Sequence, residues 1–353
     1  MMIKTITGDK NFIEKLQNRK ATFMLALSNT ATADIEGITQ AGIPKMIHLT
    51  PTLDAEFLAT GEVQSLPNVA KTPKGVPTPA LITRGVHLLS PYSHIELLDL
   101  GLEVQPKGKG LNIHHFNITP SQSIAKGAKI DAKTLFEKGV TFGKSYFCKD
   151  DYLILGESVP SGTTTATATA LALGYDAKEL FSSSFKDVPN NIREETINKA
   201  LKNVEGETDL FKILGVLSDN MLIFNAGFII GVEGRFPIVL AGGTQMACVL
   251  LVANRILPTQ KHYMPLKNVA LCTTKWVAKD ENSDIKALLE MLDFDIDAYY
   301  AEFDFSLSTH PALKLYDEGE AKEGVGAGGA LMYAYLNGLN KEEITKQVEG
   351  FLG

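Results

Sequence analysis

The chain predicts an α/β fold: a mainly parallel sheet flanked by helices. Two observations carry that expectation. Short apolar runs stop abruptly at Gly, Ser, Thr or Asn, as strands buried on both faces do. Helical patterns fall between the runs, so that strand and helix alternate along the chain.

In chain order, the expected strands are residues 23–27 (FMLAL), 45–49 (KMIHL), 152–155 (YLIL), 237–240 (PIVL) and 268–274 (NVALCTT). The expected helices are 163–173, 192–201, 210–217, 244–255, 284–292 and 324–336. The closing NKEEITKQVEGFLG has the pattern of an amphipathic helix. Residues 56–125 differ, because KTPKGVPTPALITRG and VQPKGKGLNIHHFNITPSQS are rich in Pro and Gly and hold little periodicity. Such a stretch is expected to line or cover a pocket rather than to fold alone.

At 353 residues, with 44% hydrophobic and 21% charged side chains, the composition is that of a soluble globular protein. A net charge of -7 argues against nucleic acid as a partner. The three cysteines, Cys148, Cys248 and Cys272, form no CxxC pair and read as core residues of a reducing cytoplasm. The apolar stretches 220–232 and 237–253 are interrupted by Gly and polar residues and fall short of a membrane span. No membrane partner is expected, and the N-terminus lacks the apolar stretch of a signal peptide.

The informative stretch is YLILGESVPSGTTTATATALALGYDA, residues 152–177. A strand ends near Gly156, the chain turns through Ser161 and Gly162, and Thr163, Thr164 and Thr165 open a helix. Backbone N–H groups and hydroxyls at such a helix start suit an anion, most simply a phosphate. The loop is not a Walker A motif, since five residues separate Gly156 from Gly162 and no Lys follows. A plain Gly/Pro turn with Thr caps has the same composition.

Two further turns share the pattern. In PIVLAGGTQMACVLL a strand leads through Gly242, Gly243 and Thr244 into a helix, and in KEGVGAGGALMYAYLNG Glu323 precedes Gly324 and Gly326. Loops at the carboxyl ends of parallel strands converge on one crevice. Three such loops, two bearing a Glu, therefore predict an anion pocket with two carboxylates.

Together, GESVPSGTTTA, LAGGTQMA, TTKWVAKD and KEGVGAGGA resemble the archaeal-type branch of the nicotinate-nucleotide–dimethylbenzimidazole phosphoribosyltransferase family. NTATADIEGITQAG, HLTPTLDAEFL and GVPTPALITRG resemble it as well, so the likeness spans roughly residues 20–340. It implies a Rossmann-like domain with a smaller, mostly helical subdomain in one phosphoribosyltransferase unit. The large domain would occupy about residues 20–320. The helical part would come from the N-terminal segment and about 324–353, and the assembly would be a homodimer. It further implies transfer of the phosphoribosyl group of nicotinate mononucleotide to a benzimidazole-type base, for the lower ligand of cobamides.

Residue by residue, the resemblance implies that Glu323 is the catalytic carboxylate and Glu157 its companion. Gly162 to Thr165 and the Ser183–Ser184 turn then bind the nucleotide, with Arg193 where a phosphate-contacting lysine is expected. Two departures stand out. Ala241 replaces an acidic residue, and YDEGEAKEGVG lacks the arginine that precedes the catalytic glutamate. They motivate the alternative of a nucleotide-binding or cobamide-regulatory protein with little transferase activity.

The chemistry asks for little apparatus. A pyridinium leaving group departs as a neutral ring and needs no acid. The attacking benzimidazole becomes cationic and must lose its second N–H proton, so one positioned carboxylate suffices. Neither metal nor redox cofactor is implied. His114 and His115 have no partner at ligand spacing, and His48 and His310 stand singly. Asp34 and Glu36 suit either a pocket-lining or a solvated turn, YDEGEAKE reads as a solvated loop, and Trp276 as core.

Overall fold

The computed structural model describes residues 2–69, 71–186, 190–259 and 266–353. Eight strands form one sheet: β1 (Ile3–Thr7), β2 (Ala21–Leu27), β3 (His94–Asp99), β4 (Ile113–His115), β5 (Tyr152–Ser158), β6 (Ile238–Ala241), β7 (Val269–Thr274) and β8 (Asp297–Ala301). Their order is β1-β8-β7-β6-β5-β2-β3-β4, parallel throughout except where β1 runs antiparallel to β8.

The apolar runs are continuous because both faces of the sheet are covered. In β2, Met24 and Ala26 enter one core with the helices Ala132–Ser145, Asn220–Val232 and Thr244–Ile256. Phe23, Leu25 and Leu27 enter the other, with the helices Thr50–Thr60, Ala80–Leu89 and Ala327–Leu336. Strand β5 divides the same way, with Leu153 and Leu155 on one face and Tyr152 and Ile154 on the other. Each fully buried Leu or Phe contributes about 1.5–3 kcal/mol.

From β2 the chain builds outward through β3 and β4, then returns to β5 and builds the other way. The carboxyl ends of β2 and β5 are therefore a topological switch point, where an open parallel sheet leaves a crevice.

Four of the five expected strands and all six expected helices form within a few residues of their expected bounds. The exception is 45–49. It is a 3-10 turn, Ile47–Leu49, running into a helix whose second residue is Pro51. Proline at a helix start is pre-organised for helix, and this overrides the apolar run before it. Strands β1, β3, β4 and β8 escaped sequence reading because they carry Lys, Glu, Asp or His, and β1 and β4 lie at the sheet edges.

The N-terminal segment enters the sheet as strand β1 rather than joining a helical part, and Ala327–Leu336 packs on the sheet itself. Among the described residues of 56–125, the strap 71–79 is the part that reaches the crevice, and others supply the helix Ala80–Leu89 and strands β3 and β4. No helix among the described residues is long and apolar enough to cross a membrane. The closing helix, Lys341–Glu349, begins in a capping box between Asn340 and Glu343.

The helices Ala132–Ser145 and Asn220–Val232 approach closely through glycines on both partners. Gly139 and Gly143 meet the backbone of Phe224 and Phe228, while Gly227 and Gly231 meet that of Phe136 and Val140. A Cβ at any of the four would overlap a carbonyl oxygen of the facing helix. Gly227→Ala should therefore destabilise the protein by about 1–3 kcal/mol, as overpacking does, read as a lower urea midpoint. An unchanged midpoint would show that this contact is looser than described.

Candidate active site

At the switch point lies a crevice of about 910 Å³, including its open mouth. The three glycine-rich loops meet there. Glu157, Ser161, Gly162 and Thr163 line it from the β5 loop, Gly243 and Thr244 from the β6 loop, and Glu323 and Gly324 from the third. Ser183 and Ser184 add a fourth wall. The third loop is pinned to β5 by a bond from the Val325 N–H to the Glu157 carbonyl, 2.8 Å.

Small residues bring these walls together. Gly326 sits at φ 68°, and a Cβ there would stand 2.8 Å from the Phe23 ring and 3.2 Å from Ala241 Cβ. Gly156 likewise faces Gly326 at 3.1 Å. Gly329, in the next helix turn, has no room for a Cβ beside Ala241. Ala241 thus lies beneath this helix, completely buried, and is not among the crevice-lining residues. An aspartate there would collide with the helix, which explains the departure at this position. Gly156 and Gly326 serve the approach of their two backbones, and Gly242 makes room for the Met246 side chain; none of the three lines the crevice.

Glu323 is held by four donors. The Thr274 N–H (2.9 Å) and Thr273 hydroxyl (3.2 Å) reach Oε2, while the Gly328 (3.1 Å) and Gly324 (3.2 Å) N–H groups reach Oε1. Burial pushes its pKa up to about 7 against these bonds. Glu157, 3% exposed, accepts only the Val159 N–H among the described residues, at 3.1 Å. Burial first, then the neighbouring Glu323 charge, pushes it to about 8. At neutral pH, Glu157 is mostly protonated and Glu323 is poised.

Two further acids escaped sequence reading. Asp54 lines the crevice, accepting from Thr78 and Ser158 hydroxyls at 2.7 Å each, and burial raises it to about 6. Its helix is buried from Thr50 to Leu58, so an acid inside an apolar-face helix was the available signal. Asp219 accepts the Thr165 hydroxyl behind the loop and is raised to about 6 by burial.

The Ser161 turn suits an anion. Ser161 stands at φ 62° before the helix Gly162–Ala172, and its buried Oγ has no hydrogen-bond partner among the described residues. This left-handed conformation is uncommon for a non-glycine residue, and here the surrounding loop holds it. Thr164 and Thr165 do not line the crevice; their N–H groups turn back to the Ser161 carbonyl, and Thr165 binds Asp219. Arg193 does not reach the crevice either. Its guanidinium bonds the Thr163 and Phe181 carbonyls and the Thr167 hydroxyl, bracing the two anion loops from behind. Burial lowers its pKa to about 10, leaving it charged.

Lys322 supplies a lining cation, buried and paired with Asp280 at 2.7 Å, which also accepts from Ser182 at 2.9 Å. Glu320 corrects the expectation of a solvated loop. It is 1% exposed and bonded to Lys74 and Gln40, which tie the strap and the neighbouring loop over the mouth. Asp34 and Glu36 are exposed and outside the lining. Trp276 is core, donating to Asp317 at 2.9 Å. His114 and His115 bind Glu96 and Asp99, at 2.9 and 3.1 Å. Among the described residues, no cluster of three or more His, Cys, Asp or Glu could hold a metal.

No family model matches the chain. A UPF0284 protein of Sulfurisphaera tokodaii is 36% identical over 352 residues, covering 99% of this chain and 97% of its own. The chain belongs to the UPF0284 family. A second UPF0284 protein, from Saccharolobus solfataricus, is 32% identical over 99% of this chain and 96% of its own. In three dimensions the UPF0284 chain has the fold of nicotinate-nucleotide–dimethylbenzimidazole phosphoribosyltransferase from Thermus thermophilus. The TM-score is 0.57 at 15% identity, over 94% of this chain and 83% of that one. A second structure of CobT from the same organism gives 0.58 over 94% and 84%.

The acids predict a pH dependence of stability. Glu157, Glu323, Asp54 and Asp219 keep protons in the folded state that the unfolded chain releases near pH 4. Stability therefore falls as pH rises from about 5 to 8. Glu157→Gln should leave the melting temperature nearly unchanged at pH 5 and raise it at pH 8. A variant less stable than the parent at pH 8 would contradict the burial argument.

Proposed function

We propose that the protein transfers the phosphoribosyl group of nicotinate mononucleotide to an aromatic base with a nucleophilic ring nitrogen, of the 5,6-dimethylbenzimidazole type. The products would be α-ribazole 5′-phosphate and nicotinate. The observation that supports this reading above others is the pairing of two functions in one crevice. Two raised carboxyls and an unpartnered serine at a helix start line the same crevice. A pure phosphate-binding module has no use for carboxyls beside its anion.

In this reading the 5′-phosphate rests on Ser161, Thr163, Ser183, Ser184 and Thr244, while the Gly162 N–H holds the turn by donating to the Val159 carbonyl. C1′ then faces the carboxyls, held in line for attack. The acceptor nitrogen gives its lone pair to C1′, and the C1′–pyridinium bond breaks with its electrons passing to the departing ring. The acceptor, now cationic, loses its remaining N–H proton to Glu323. Glu157, protonated at neutral pH, stays uncharged beside Glu323 and donates a hydrogen bond to ribose or base. The strap of Val76, Pro77, Thr78 and Pro79 forms an apolar wall for the flat acceptor ring. A cytoplasmic homodimer accompanies this reading.

The test is nicotinate release from nicotinate mononucleotide with 5,6-dimethylbenzimidazole, followed by chromatography. Base-dependent release is expected, with kcat/KM rising through pH 7 as Glu323 loses its proton. Glu323→Gln should lower kcat by about 10²–10⁴-fold and remove that pH limb. Release unaffected by the substitution would eliminate Glu323 as the base. Nucleotide binding without turnover would favour the regulatory alternative.

A further inference from the structure

Lys322 and Glu323 are consecutive in the third loop, yet their side chains engage different walls of the crevice. Glu323 is held toward β7 by Thr273 and Thr274. The Lys322 side chain, 4% exposed, reaches the serine turn instead. Its Nζ donates to Asp280 Oδ2 at 2.7 Å and to the Phe185 carbonyl at 3.3 Å. The same Asp280 oxygen accepts the Ser182 hydroxyl at 2.9 Å and the Ser283 hydroxyl at 3.1 Å. Lys322 thus grips the turn 182–185 at both ends, once through Asp280 and once directly. Burial opposes charge on Asp280, but the hydrogen bond and charge of Lys322 outweigh it and hold the carboxyl below its ordinary range.

The backbone completes the link. The Lys322 carbonyl accepts the Thr274 hydroxyl at 2.6 Å, and the Thr274 N–H holds Glu323 Oε2 at 2.9 Å. Beside it, the Ala321 N–H donates to the Ser184 carbonyl at 3.4 Å. One residue therefore joins the wall that carries the serines to the wall that carries the carboxylate. Stability alone does not account for such a link, because well-packed apolar residues of similar volume often serve as well as a buried ion pair. The best-attested use of a buried pair is to fix register. Ser182, Ser183, Ser184 and Glu323 all line the crevice, so the register fixed here is that of the site.

We infer that Lys322 is a positioning residue: with Asp280 it sets the spacing between the serine turn that receives the phosphate and the carboxylate that receives the acceptor proton. This rests on the phosphoribosyl reading above. The ammonium is committed to Asp280 and Phe185, so Lys322 acts through the turn and not as a ligand of the anion. A displacement of about 1 Å between a bound reactant and a catalytic group can cost about 10²-fold in rate, which sets the size of the effect.

The test compares the parent with Lys322→Met, with the double substitution Lys322→Met and Asp280→Asn, and with Asp280→Asn alone. Each full chain is measured for urea midpoint, calorimetric affinity for inorganic phosphate, and kcat of nicotinate release. Lys322→Met leaves a buried carboxylate unpaired and should lower the midpoint. The double substitution removes that charge and should restore most of the midpoint. Its kcat should nevertheless stay about 10²-fold below the parent's, with phosphate affinity within about twofold and the rise of kcat/KM through pH 7 still present. Asp280→Asn alone, which keeps an acceptor in place, should lower kcat by about tenfold. A kcat that recovers together with the midpoint overturns the assignment, because Lys322 would then be purely structural. Lost phosphate affinity at a restored midpoint also overturns it, marking Lys322 as an anion ligand. A parent that binds phosphate but releases no nicotinate removes the phosphoribosyl reading, and this assignment with it.

Discussion

The crevice depends on keeping carboxyl groups out of water at the ends of parallel strands. Glu157 closes β5, Glu323 hangs over β7 through the Thr273 and Thr274 bonds, and Asp54 reaches in from the covering helix. Desolvation disfavours charge on each of them, and their mutual repulsion adds to it for Glu157. Such a cluster is stable only because some of its members carry protons at neutral pH. It is equally the arrangement that yields one poised base beside one neutral acid.

The small residues explain how so many backbones reach one point. Gly156, Gly243 and Gly326 let the ends of β5 and β6 approach the loop that carries Glu323. Ala241 belongs to this packing, not to ligand contact. A small residue at 241 follows from helix Ala327–Leu336 lying hard against the sheet. The missing arginine before Glu323 is a different matter. Lys322 now occupies the neighbouring position, but its charge is already engaged by Asp280.

Much of this was legible in the sequence where local chemistry sufficed. Glu157 and Glu323 stood out because each sits in a glycine turn at a strand end. The buried strands stood out because both faces are covered. What escaped depends on distant partners. Asp54 acquires its role from Thr78 and Ser158, and Glu320 becomes buried through Lys74, 246 residues away. Arg193 was expected at a phosphate and instead braces two loops from behind, since sequence position fixes a residue's neighbourhood but not the side from which it arrives. Edge strands β1 and β4 were hidden for a related reason, having one neighbour each and correspondingly polar sequences.

The most direct measurement is an infrared titration of protonated carboxyl C=O stretches in the ligand-free protein, with Glu157→Gln and Glu323→Gln in parallel. This account predicts carboxylic-acid signal persisting above pH 7, with the highest-titrating component absent from the Glu157 variant and the next absent from the Glu323 variant. Loss of all carboxylic-acid signal by about pH 5, near the ordinary range for these groups, would contradict it. The crevice would then be a hydrated anion-repelling cleft rather than a site for proton transfer.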